Sequence, residues 1–150
     1  MREYDIYIIK DHIANEYFGL EGKLFSLFQE NRYANGRLKE VTDMQIHFIK
    51  ESINISKLDQ LLYSRLHEKK GYAKEGNNHF IRLLNKKSQA GVYLDEHHIT
   101  LFSEGTYDAE ACFFEVLRHS NKCFIAMEFE EQRYGWLKPV RTLDLVEYSI

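Results

Sequence analysis

The sequence predicts an α+β domain: a largely antiparallel sheet with several helices packed against it. Strand-like segments follow one another between residues 79 and 102 with only short polar turns between them, which makes chain neighbours run in opposite directions. Elsewhere apolar residues recur at spacings of three and four, the period of a helix with one buried face. The 150 residues have the size of one domain, and the 44% hydrophobic and 29% charged composition is that of a packed rather than a disordered chain. No repeat or low-complexity tract divides the chain, and its one proline is Pro139, so a single domain over 1–150 is expected.

Taken in order, Tyr4 to Ile9 are β-branched or aromatic at nearly every place, which predicts a strand buried on both faces, inside the sheet. Asp11 is placed to cap a helix that carries Ile13, Ala14, Tyr17, Phe18, Leu20, Leu24, Phe25, Leu27 and Phe28. Gly19 and Gly22 weaken it midway and invite a kink or a break. Treated as one helix at about 100° per residue, these positions span an arc of about 180°, wider than the roughly 100° that one core contact needs. Either part of this helix faces a partner, or it is wedged between two layers of its own domain.

Thr42-Asp43-Met44-Gln45 fits the Thr-x-x-Gln capping box and predicts a short helix starting there, ahead of Ile46, Phe48 and Ile49. The alternation of Ile46 and Phe48 with Gln45 and His47 leaves a strand open as well. Ser56-Lys57-Leu58-Asp59 predicts a second start, for a helix with Leu58, Leu61, Leu62 and Leu66 on one stripe. The polar, glycine-bearing stretch from Gly71 to Asn78 is expected to be a loop. Strands are predicted over His79 to Leu84, Gly91 to Leu94 and His98 to Phe102, with a turn at Asp95-Glu96-His97. Ser103-Glu104-Gly105 then leads to a helix with Ala109, Cys112, Phe113, Val116 and Leu117, and Lys122 to Phe129 is the last clear strand.

Charge argues against a nucleic-acid module. Twenty Lys plus Arg against 23 Asp plus Glu give a net charge of −3, without the basic excess that phosphate binding uses, and Lys69-Lys70, Lys86-Lys87 and Arg118-His119 are scattered pairs. No apolar run approaches the roughly 20 residues of a membrane span, and Met1-Arg2-Glu3-Tyr4-Asp5 lacks the layout of a signal peptide, so a cytoplasmic location is expected.

Signatures of catalysis are missing. No phosphate-binding glycine loop, His-Glu-x-x-His or Gly-x-Ser-x-Gly occurs. Cys112 and Cys123 fall in different kinds of element and read as ordinary core thiols. His97 and His98 are adjacent, so their side chains point to opposite sides. Glu128, Glu130 and Glu131 read as surface charge following a strand, and Cys112 with His119 lacks an orienting third group. Arg133-Tyr134-Gly135-Trp136-Leu137 suits either a packed corner or an interface anchor. No catalytic, cofactor or metal site is therefore expected.

Two blocks resemble a known family. Tyr4-Asp5-Ile6-Tyr7-Ile8-Ile9-Lys10 followed by Ala14-Asn15-Glu16-Tyr17-Phe18-Gly19 is similar to the opening of the sporulation inhibitors of replication (SirA). Gly105-Thr106-Tyr107-Asp108-Ala109-Glu110, Phe113-Phe114-Glu115-Val116-Leu117, Cys123-Phe124-Ile125-Ala126-Met127 and Arg133-Tyr134-Gly135-Trp136-Leu137 resemble that family's closing block. Between them Glu40 to Ile49 keeps its Thr-x-x-Gln-Ile-x-aromatic-Ile pattern, whereas Asn31 to Leu38 and Ser52 to Tyr93 differ.

The resemblance implies a cytosolic, non-enzymatic protein of spore-forming bacteria that binds domain I of the replication initiator DnaA and blocks new rounds of replication. It also implies a partner surface on the first helix and the Thr-x-x-Gln element, which falls here on Ile13, Tyr17, Gln45 and Phe48. A small-molecule enzyme on an α+β scaffold is the alternative reading, and a nucleic-acid module the third.

Overall fold

Strand β1 (Arg2–Ile9) alternates its side chains between two hydrophobic layers, Tyr4, Ile6 and Ile8 entering one and Tyr7 and Ile9 the other. Burial on both faces requires helices on both sides, and the computed structural model, which describes residues 1–138, has them. Pro139 lies outside the described residues.

After β1 come helices α1 (Asp11–Glu16), α2 (Glu21–Tyr33) and α3 (Gly36–Ile49), the short strand β2 (Lys50–Glu51) and helix α4 (Ile55–Leu66). The rest is mostly sheet: β3 (Tyr72–Glu75), β4 (Asn78–Leu83), β5 (Ser88–Leu94), β6 (Ile99–Gly105), helix α5 (Asp108–Arg118), β7 (Cys123–Glu128) and β8 (Arg133–Trp136). The spatial order is β3-β4-β5-β6-β1-β7-β8, with β2 pairing the end of β1. Every pairing is antiparallel, so the α+β class expected from the sequence is the one observed.

Helices α4 and α5 cover one face. Leu58, Leu62 and Leu66 of α4 and Ala109, Phe113, Val116 and Leu117 of α5 close over Ile6, Ile81, Val92, Leu101 and Phe124. On the other face α1, α2 and α3 cover only the half made by β1 and β7, through Ile13, Leu24, Phe25, Phe28, Ile46 and Ile49 on Ile9, Ile125 and Met127. No helix among the described residues is long and apolar enough to cross a membrane.

Several boundaries differ from those expected. The chain does break near Gly19, which adopts φ 79°, so one wide helix becomes two narrower ones and the 180° arc dissolves. Asp11 lies inside the first turn of α1 and makes no capping bond; Lys10 holds the cap position. Thr42 does not start a helix either. Helix α3 begins six residues earlier, because the Thr42 hydroxyl turns inward to donate to Leu38 O at 2.8 Å instead of capping.

For α4 the cap is Asn54, whose side chain accepts from Lys57 N at 3.1 Å, two residues ahead of Ser56. The expected loop from Gly71 holds β3, a polar edge strand that pairs with β4 from Tyr72↔Ile81 to Glu75↔Asn78. Edge strands are polar because one side of their ladder faces water, which hides them from hydropathy.

Candidate protein-binding surface

The end of β1 and the end of α3 meet at Lys10. Its backbone N–H donates to Ile49 O at 2.9 Å, and its carbonyl accepts from Ala14 N at 2.9 Å, so one residue ties α1 to the C-terminus of α3. A second clamp holds α3 to α2. Asn31 donates through Nδ2 to Thr42 Oγ1 at 2.9 Å and to Asp43 Oδ1 at 2.7 Å, and Lys39 Nζ joins Asp43 Oδ1 at 2.8 Å. The Lys39 and Asn31 hydrogen bonds hold the Asp43 carboxyl below its ordinary value.

These clamps orient α3. Thr42, Ile46 and Ile49 face inward, which leaves Met44, Gln45 and Phe48 on the outside. Met44 is 72% and Phe48 64% exposed, four residues apart on one helix face, an unusual placement for two large apolar side chains. Lys10 Nζ lies 5.2 Å from the Phe48 ring centroid, a cation–π distance. Lys10, Asp43, Met44, His47 and Phe48 together line a shallow open depression.

The four residues that the resemblance marks divide unequally. Gln45 and Phe48 share the exposed face of α3. Tyr17, at the C-cap of α1, is half-buried and packs on the same core cluster that lies beneath α3. Ile13 does not belong to the surface: it is 6% exposed and sits in that cluster, because α1 has only six residues and turns its one apolar side to the sheet. Sequence reasoning passed over Met44, Lys10 and Asn31. Met44 was legible as the i−4 neighbour of Phe48 once α3 is read as a full helix.

The remaining candidates resolve into structural roles. His98 stacks on Tyr7 at a centroid distance of 5.0 Å, while His97 Nδ1 meets Lys50 Nζ at 3.2 Å on the other side. Cys112 and Cys123 are free thiols, and burial with a neighbouring Asp11 carboxylate pushes the Cys123 thiol up to about 11. His119 pairs with Glu115 at 2.8 Å rather than with Cys112.

Glu128 corrects the reading of a surface acid: it is buried, and its Oε1 accepts from Arg133 Nε at 2.7 Å. Arg133 to Trp136 is a packed edge strand. Tyr134 stacks on Phe25 at 4.6 Å, and Trp136 Nε1 donates to Glu21 Oε1 at 3.0 Å. Among the described residues no group of three or more His, Cys, Asp or Glu is placed to hold a metal ion.

The sequence matches the family model described as sporulation inhibitor of replication protein SirA over residues 2–141. The protein so named from Bacillus subtilis (strain 168) is 39% identical over 147 residues, which cover 97% of this chain and 99% of that relative.

Proposed function

Because the chain belongs to the sporulation inhibitor of replication (SirA) family, we propose that it restrains new rounds of DNA replication during sporulation by binding domain I of the initiator DnaA in the cytoplasm. It acts by occupying a protein surface and not by catalysis. Tyr17, Gln45 and Phe48 form the contact, with Met44 beside them, and Ile13 supports Tyr17's helix from the core. The observation that carries this reading is the pair of exposed apolar side chains Met44 and Phe48 in a polar rim of Lys10, Asp43, Gln45 and His47. Interfaces place their energetic anchors in such settings, large side chains that lose water only when the partner arrives.

Titration calorimetry with isolated domain I of the cognate initiator is expected to give a one-to-one complex. Absence of heat and of co-elution at tens of micromolar, roughly the range in which weak interfaces still register, would remove the proposal.

Phe48→Ala separates binding from folding. With its ring already in water, the variant should melt within a few degrees of the parent while binding about thirtyfold more weakly or worse, the effect of losing an anchor worth about 2 kcal/mol. Tyr17→Ala should weaken binding too, but its half-buried ring makes some loss of stability expected as well. Unchanged binding by a folded Phe48→Ala protein would take Phe48 out of the interface.

A further inference from the structure

Among the described residues no helix covers the second face of β4, β5 and β6. The pairings Arg82↔Gln89↔Glu104, Phe80↔Gly91↔Phe102 and Asn78↔Tyr93↔Thr100 put three cross-strand rows on that face. Tyr93 joins Phe80 and Phe102 edge to face, with centroids 5.8 and 5.7 Å apart, so the three rings form one continuous aromatic cluster on an open sheet. Gly91 lies between the two phenylalanines, and a Cβ there would stand 2.8 Å from the Phe80 ring. The Phe80 ring therefore lies over Gly91 and covers the backbone in the middle of the face.

We propose that this face is the interface of a homodimer, two copies packing their β4-β5-β6 faces against each other around a two-fold axis that runs along β5 at Gly91. Such an axis exchanges β4 for β6 and keeps each residue in its row. Phe80 then meets Phe102 of the other copy, Tyr93 meets Tyr93, and Arg82 meets Glu104. The charge row is thus self-complementary in this arrangement, an arginine at one end and a glutamate at the other. Arg82 is exposed and has no acidic partner among the described residues, while Glu104 holds only Gln89 Nε2 at 3.0 Å. Sheets pack face to face with strands within about 30° of each other, the alignment this axis gives.

Carboxylates decide against a nucleic-acid strand as the occupant. Glu104 and Glu75 lie on the same face, and Glu3 and Asp5 flank it, held by Arg32 at 3.6 and 3.1 Å. A polyanion stacking on the three rings would have to approach all four.

Sedimentation equilibrium on the full chain tests the proposal. Wild type should reach twice the 17.9 kDa chain mass in the micromolar range. Arg82→Glu and Glu104→Arg, both on exposed positions, should each weaken self-association at least tenfold, because each sets like charges face to face. Mixing the two single variants should restore a dimer, as should Arg82→Glu/Glu104→Arg in one chain. A wild-type monomer up to about 100 µM, a level at which even weak interfaces populate, overturns the proposal. Dimers that survive both single reversals overturn it as well, as does a monomer that instead binds a fluorescent single-stranded oligonucleotide through Phe80 and Phe102.

Discussion

Arg2→Met should destabilise the protein by about 3–5 kcal/mol, the cost of leaving a buried charge without its partner. Glu110 is 1% exposed on α5, and its Oε1 accepts from Arg2 Nε at 2.9 Å, from Arg2 Nη2 and from Ser103 Oγ at 2.9 Å. The guanidinium is itself pinned, lying 4.3 Å over the Tyr107 ring. Without it the carboxylate loses both guanidinium bonds in a dry site and keeps the one from Ser103 Oγ.

Urea unfolding of both proteins at neutral pH measures this difference. Arg2→Met/Glu110→Gln should recover most of the loss, since the neutral amide still accepts from Ser103. A deficit below about 1 kcal/mol would mean that the pair acts as a surface ion pair.

Phe113→Ala is expected to cost about 3–5 kcal/mol, and, for a chain of this size, to lower the melting temperature by about 6–20 °C. Phe113 is 0% exposed in the layer where α5 meets β5 and β6, among Ala109, Leu117, Val92 and Leu101. The surrounding strands are tied into a sheet and cannot collapse into the space the ring leaves, so the cavity remains. Thermal melting by circular dichroism measures it. A shift of only a degree or two would mean that α5 moves in to fill the hole, and the helix would then be far looser than its buried stripe implies. The contrast with Phe48→Ala is direct: one phenylalanine holds the fold, the other stands in water.

Those two residues mark how far the sequence can be read. Tyr4 to Ile9 and Cys123 to Phe129 are legible as central strands because burial on both faces demands apolar residues at successive positions, and that demand is written locally. Leu58, Leu62 and Leu66, like Phe113 and Leu117, announce their helices by period alone. The family blocks were legible for the same reason, since both contain long runs of core residues. Polar β3 was missed, because a ladder bonded on one side needs no hydrophobic pattern.

What only the tertiary structure decided is which apolar residues find a partner within the chain. Ile13 and Phe48 look alike in sequence, each a large apolar residue in a helical stretch, yet one is buried under α1 and the other is exposed. Thr42 looked like a cap and is a buried post bonded to Asn31; Glu128 looked like surface charge and is a buried acid paired with Arg133. In each case the answer depends on the angle at which one element lies on another. Periodicity fixes a face relative to its own helix or strand axis. The direction in which that face points is set by contacts between residues far apart in the chain, such as Lys10 with Ile49 and Asn31 with Thr42.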